Sequence, residues 1–581
     1  MIDFFRRFNR PFIARILAGA TLIIALSLQC IGAWTDSQTT DEGAHLGAGL
    51  SYWRTGDFRL NPEHPPLVKL LAALPLLPND AIQPSQNATY WANRDQWEIG
   101  RLILYHQLTP SSVSQMALWL ARLPVVLLWL GLGVIVWKWA EERTSAWGGA
   151  VSTILFAFEP TLLGHGHLIT TDVAIATGFT ATFWLTTKIV DHPNWRLVST
   201  FALIFGLTQI TKFSALILWP VAFGLLGLAA WQASSSWTWL WWRRTLALTI
   251  LIGAGLTWGI YGFERQSANA DPRIDRLWQE RDALAGSTEL TTMPPIVRYL
   301  VRATPPGSAW RERLQAASTI PIPAYSYWRG AFAVASHNAM GHAAYLLGEQ
   351  RSQGWWYYFP IALAVKTPLP LIGLVLLLMV NAIRSRRSLS QPHQYLLYGP
   401  VILYLLWSFT SHINIGVRHV IPMIPLTIVA VASLVPSARK IWQRLMLVGL
   451  TTAMPIVALA AWPNTIGYFN AFAGGTRGGH RIILDSNLDW NQDLWRLRDY
   501  LEARSVPPAM IALFGSVPIE VAHPHPQRIP TDVEVAAQGQ PRELIIISKG
   551  ILYSVDLPFT WLRDLKPTDR IGSSILVFDL R

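Results

Sequence analysis

Apolar runs close to the roughly 20 residues needed to cross a bilayer alternate with short polar connections along most of this chain. They occupy 12–33, 115–139, 146–163, 170–190, 197–231, 246–263, 355–383, 394–409, 417–435 and 445–462. The run 197–231 is too long for one crossing and is interrupted by Thr208-Gln209-Ile210-Thr211-Lys212-Phe213-Ser214, so it reads as two short spans. The pattern therefore predicts about 11 transmembrane helices.

Three longer polar segments remain, at 35–114, 264–354 and 463–581. In the first, 64–78 is apolar but too short and too proline-bounded to cross, which predicts an interfacial helix. The second carries a basic-acidic run from Arg273 to Arg281 that suits an amphipathic surface helix. The third alternates like strands at 510–514, 544–547 and 575–578, separated by Pro-rich turns. The expected fold class is an all-α polytopic membrane protein over 1–462 followed by a small α/β extracytoplasmic domain over 463–581.

Charge sets the expected orientation, because connections rich in Lys and Arg stay in the cytoplasm. Arg6, Arg7, Arg10 and Arg15 put the N-terminus inside, and alternation places the clusters at 138–143, 188–196, 243–244, 384–387 and 439–444 on the same side. The three polar segments then fall outside. A formal charge of +12 made of such clusters, in a chain 51% hydrophobic and 14% charged, is topology rather than a nucleic-acid footprint. The single Cys30 excludes an internal disulfide and a Cys-based zinc site. The first run has no small-x-small cleavage pattern and reads as an uncleaved signal anchor.

Chemistry concentrates at the outer boundary. Asp41 and Glu42 follow the first span, and adjacent carboxylates there can divide labour, one taking a proton from a hydroxyl while the other tunes or positions it. They can equally be acids in the first turn of a helix capped by Thr39 or Thr40. A helix would put His45 on the face of Asp41. In Asn61-Pro62-Glu63-His64-Pro65-Pro66-Leu67-Val68-Lys69, prolines fix a turn that can hold His64 and Lys69 towards one ligand, or simply start an interfacial helix with a snorkelling lysine.

Between two spans lies Glu159 to Asp172, with Asp172 near a helix start where Thr171 or Asp172 could also be an N-cap. His165 and His167 could bind metal, but two histidines at this spacing with no nearby carboxylate or third His are weak evidence for a metal site. Lys212, Arg418 and, deeper, Lys366 are cations near the outer face; such a cation needs an anion, and a phosphate suits. No P-loop, Rossmann fingerprint, HExxH or Gly-x-Ser-x-Gly is present. A site facing outside has no nucleotide supply, so an activated substrate there would be lipid-linked.

The acidic pair after the first span, then His-Pro-Pro-Leu-x-Lys and Thr-Thr-Asp172, resembles the protein O-mannosyltransferases (glycosyltransferase family 39), and bacterial aminoarabinose transferases that modify lipid A share the layout. Both are GT-C membrane glycosyltransferases using polyprenyl-phosphate sugars. The resemblance covers roughly the first half and returns at Gly416-Val417-Arg418-His419-Val420-Ile421-Pro422. It implies Asp41 as the general base with Glu42 beside it, and His45, His64, Lys69 and Asp172 lining one cavity. Lys212 and Arg418, with His419 alongside, would hold the donor phosphate. Asp485-Ser486-Asn487-Leu488-Asp489-Trp490-Asn491-Gln492-Asp493 resembles a motif of uncharacterised bacterial relatives and carries no assigned mechanism. No β-trefoil repeats of the eukaryotic O-mannosyltransferases are present, which puts a protein acceptor in question.

The expected function is an inverting glycosyltransferase of the bacterial inner membrane, moving a sugar from a polyprenyl-phosphate carrier to a hydroxyl of a cell-envelope acceptor (lipid, polysaccharide or protein). Its partners are that donor, the acceptor and membrane lipid, with no nucleic acid and no cofactor or metal assigned. A flippase for the same lipid is the main rival, though a proton relay would place acids at mid-membrane. An assembly protein using its tail is the third; it would leave Asp41, Lys69 and Asp172 far apart.

Overall fold

The structure, a computed structural model, describes residues 11–84, 87–108, 111–270, 298–299, 302–303, 305, 307–384, 392–504 and 509–581. Arg6, Arg7, Arg10, the run from Arg273 to Arg281 and the cluster beyond Arg384 lie outside these residues.

Five described helices are long and apolar enough to cross a membrane: Pro11–Thr35, Ser112–Arg143, Asp172–Asp191, Phe213–Ala233 and Ile441–Ala461. A bent pair, Tyr358–Lys366 and Leu369–Arg384, brings the number to six and meets at 114°. The bend falls at Thr367-Pro368, where the residue before proline is extended, as proline's ring demands. The chain is a multi-pass membrane protein. Several other expected spans form shorter helices. The run 146–163 breaks because Pro160 has no N–H to continue Ala146–Ala157, and the Glu159 carboxylate starts Pro160–His165 by accepting from Leu162 N–H at 2.7 Å.

Lipid provides no hydrophobic drive between helices, so close packing of small residues does the work. Pro11–Thr35 buries Ala14, Ala18, Ala25, Gly32 and Ala33 against Ser111–Arg143 and Ala146–Ala157, while Phe12, Ile16, Ile23 and Ile24 face outward. The expected break in 197–231 is present. Helix Trp195–Gln209 ends, Lys212 is extended at φ −154°, and the chain resumes through Phe213–Ile217 into Leu218–Ala233. The carbonyl of Ile210 accepts from Leu67 N–H at 3.1 Å, which brings this break against the first polar segment.

In that segment the expected 64–78 helix is Leu67–Ala73 continued by Leu74–Leu76. It lies against Thr40–Thr55 so closely that a Cβ on Gly49 would stand 2.1 Å from the Lys69 carbonyl oxygen. Only glycine allows that contact.

The C-terminal region builds a four-stranded sheet in the order Met510–Ala512, Leu544–Ser548, Ile575–Asp579, Asp569–Ile571; the first pair is parallel and the rest antiparallel. The continuous apolar run 544–547 follows from burial on both faces. Leu544 and Ile546 pack with Leu494, Leu497 and Leu501, whereas Ile545 and Ile547 pack with Ile529, Leu552 and Leu562. The three polar segments touch one another: Ser37 bonds to residues 491, 492 and 494, and Leu347 N–H reaches the Ile482 carbonyl at 2.9 Å.

Candidate functional site

Helix Thr40–Thr55 begins with a capping arrangement in which the Glu42 carboxylate accepts from Thr39 N–H at 2.8 Å and Thr39 Oγ–H at 3.0 Å. Glu42 is fully buried, and its two oxygens also take a forked ion pair from Arg122 at 2.6 and 2.8 Å and the Ile169 N–H at 2.8 Å. Burial alone would raise its pKa; the guanidinium and the two backbone N–H groups outweigh that and hold it below the usual carboxylate range. Arg122 uses its remaining N–H groups on the carbonyls of Ala33, Asp36 and Ser37, at 2.7–2.9 Å. The acidic pair thus divides: Glu42 is tied into the protein, while the Asp41 side chain keeps 20% exposure.

His45 donates from Nδ1 to the Ile169 carbonyl at 2.6 Å. With Glu42 on the Ile169 N–H, both edges of that residue are pinned to helix Thr40–Thr55. Three residues later Asp172 opens helix Asp172–Asp191, its N-cap Thr171 making no side-chain capping bond. The Asp172 carboxylate is therefore free for Lys212, whose Nζ lies 2.6 Å from Oδ1. Arg418 Nη1 reaches Asp41 Oδ2 at 2.8 Å and lies 3.8 Å from Asp172 Oδ2. The result is a chain of alternating charge, Lys212, Asp172, Arg418, Asp41. Asp172 Oδ2 and Arg418 Nε are buried and make no hydrogen bond.

His64 stands edge-on to His45 with ring centres 5.2 Å apart, and its buried Nδ1 has no hydrogen-bond partner. Burial lowers the pKa of both rings, and for His64 the neighbouring charges of Lys212 and Lys69 lower it further. Lys69 points elsewhere. Its Nζ donates to the Tyr52 hydroxyl, the Asn61 carbonyl, Asn61 Oδ1 and the His64 carbonyl at 2.6–3.2 Å, which braces the 61–64 turn and leaves no free donor for a ligand. Burial pulls its pKa down to about 7, opposed by Glu63. His419 follows Arg418, with its carbonyl bonded to the Tyr404 hydroxyl at 2.9 Å and its Nε2 buried and unpartnered. Lys366 bonds inward to the carbonyls of Ile466 and Asn487. His167 lies between Gln29 and Asp36, and the His165 ring faces Trp490. Among the described residues no group of three His, Cys, Asp or Glu is placed to hold a metal ion.

Three further residues join the site without a role assigned from the sequence. Arg122 had a readable signal, a lone cation inside an apolar run. Trp490, whose ring lies 4.2 Å from the Arg418 guanidinium, had none beyond its motif. Asp485 sits in the same motif in a left-handed conformation (φ 61°); burial raises its pKa to about 6, against the pull of Arg418.

Residues 108–258 match the family model described as dolichyl-phosphate-mannose-protein mannosyltransferase. The match includes Arg122, Asp172 and Lys212; Asp41 and Arg418 lie outside it. In this stretch the chain resembles the GT-C membrane glycosyltransferases. No curated protein matches the sequence. Among solved structures, ArnT from Cupriavidus metallidurans bound to undecaprenyl phosphate is 12% identical with a TM-score of 0.47, over 96% of this chain and 97% of that one. The same protein in its apo state gives 12% identity and a TM-score of 0.33 over the same shares.

Proposed function

We propose that this chain is an inverting glycosyltransferase that moves a sugar from a polyprenyl-phosphate carrier to a hydroxyl acceptor of the cell envelope (lipid, polysaccharide or protein), at the outer face of the bacterial inner membrane. The reading takes 1–462 as the transmembrane transferase and 463–581 as an extracytoplasmic domain. The observation that carries it is the alternating chain Lys212, Asp172, Arg418, Asp41, which contains two unpartnered buried atoms.

A phosphate entering this cluster competes with carboxylates for the same cations. Guanidinium binds phosphate through two parallel N–H groups, so Arg418 shifts its donors from Asp41 to the donor lipid, with Lys212 as a second point charge. Asp41 then loses its counter-ion and becomes the base. As the acceptor oxygen bonds to the anomeric carbon, Asp41 takes its proton, and the carbon–oxygen bond to phosphate breaks on the opposite face. The electron pair leaves on the polyprenyl phosphate, whose added charge Arg418 and Lys212 stabilise. One displacement inverts the anomeric centre. Asp172 orients Lys212, and His45, His64 and His419 stand beside this cluster as the side chains that receive the sugar. Glu42 and Lys69 act on geometry, one fixing the helix that carries Asp41 and the other the turn that carries His64.

The test is Asp41→Asn in proteoliposomes supplied with polyprenyl-phosphate hexose or pentose. Transfer should fall by about 10²-fold or more, with donor binding retained; near-normal transfer overturns the base assignment.

A further inference from the structure

The segment 485–493 is polar in composition, yet Ser486, Asn487, Asp489, Trp490, Asn491, Gln492 and Asp493 are all buried. Burying so many polar groups is costly unless they are bonded; Asp489 and Asp493 bond to residues 550, 573 and 574, whereas Ser486 and Asn487 reach towards Arg418. Ser486 Oγ donates to the Ile415 carbonyl at 2.6 Å, and Asn487 Oδ1 accepts from Val417 N–H at 2.9 Å. The two grip the backbone on either side of Gly416, just ahead of Arg418. A Cβ on Gly416 would meet Ser486 Oγ at 2.3 Å, so the grip requires glycine there. On the other side, the Trp490 carbonyl accepts from Thr40 N–H at 3.0 Å, one residue before Asp41. The Trp490 indole lies 4.2 Å from the Arg418 guanidinium.

One residue therefore holds the backbone beside Asp41 by its carbonyl and the Arg418 guanidinium by its ring. Arg418 has two carboxylates to choose from, at 2.8 and 3.8 Å. A flat π face beneath the guanidinium fixes its plane without consuming an N–H, so the donors stay available to an incoming anion.

We propose that Trp490 is a positioning residue of the reaction centre, which holds the Arg418 guanidinium in the orientation that receives the donor phosphate. The segment 485–493 thereby makes the C-terminal region part of the active site. The inference rests on the donor reading given under Proposed function and deepens it.

The experiment is a double-mutant cycle on the full-length protein in nanodiscs, with undecaprenyl phosphate as the probe ligand and thermal melting as a folding control. Trp490→Leu should weaken probe binding about tenfold in the wild-type background and leave affinity unchanged in an Arg418→Gln background, because the ring acts only through the guanidinium. If the Leu variant does not fold, Trp490→Phe, with its smaller π face, goes through the same cycle and should weaken binding about threefold, again only where Arg418 is present. Unchanged affinity in the wild-type background, or equal weakening in both, overturns the inference while leaving the donor reading intact. Absence of probe binding by the wild-type protein overturns the donor reading itself, and the two failures are thereby distinguished.

Discussion

Arg418 and Asp41 are 377 positions apart in sequence and form an ion pair of 2.8 Å. In the proposed reaction the pair couples two events. The cation that receives the donor phosphate is also the resting counter-ion of the base, so the base is released only when donor is present.

Arg418→Lys keeps the charge and loses the planar fork. Catalytic efficiency should fall by about tenfold or more, mostly through a higher KM for the donor lipid. Steady-state kinetics with the donor varied at fixed acceptor read this directly; an unaltered donor KM with a lower turnover contradicts the phosphate role.

Asp172→Asn removes the carboxylate that holds Lys212 at 2.6 Å. Transfer should drop by about tenfold or more, and Lys212→Met should not add fully to it in the double variant, because each acts through the other. Fully additive losses place the two residues in separate roles.

Arg122→Leu strands Glu42 in the interior without its counter-charge. Breaking a buried pair from one side costs about 3–5 kcal/mol, so the melting temperature in detergent should fall sharply at neutral pH. Glu42→Gln in the same chain should recover part of the loss. A melting temperature indifferent to Arg122→Leu removes the anchoring role.

Asp489 is buried beside Ser548 and Gly550, and burial raises its pKa to about 7. The folded protein thus binds a proton there that the unfolded chain has lost above about pH 4. The stabilising contribution is complete below that pH and declines as pH rises through about 7. Asp489→Asn, neutral at every pH, should raise the melting temperature more at pH 8 than at pH 5. An equal shift at both values rules out a titrating Asp489.

How much of this was legible beforehand differs from residue to residue. Apolar runs, the break at Lys212, the start of the 67–76 helix and three of four sheet strands follow from periodicity and from proline, which act locally and leave their mark in consecutive residues. Asp41, Asp172, Lys212 and Arg418 could be suspected because a charge at a membrane boundary is conspicuous. Whether they meet, and which cation takes which acid, was decided by packing between elements that share no local pattern. The same holds for Glu42. Next to Asp41 it looks like a partner in chemistry, and only Arg122, 80 positions away, makes it an anchor. Trp490 is the extreme case. An indole 72 residues beyond Arg418 has no periodic signature, since a cation–π contact depends on where two backbones arrive in space and not on the spacing between them in sequence.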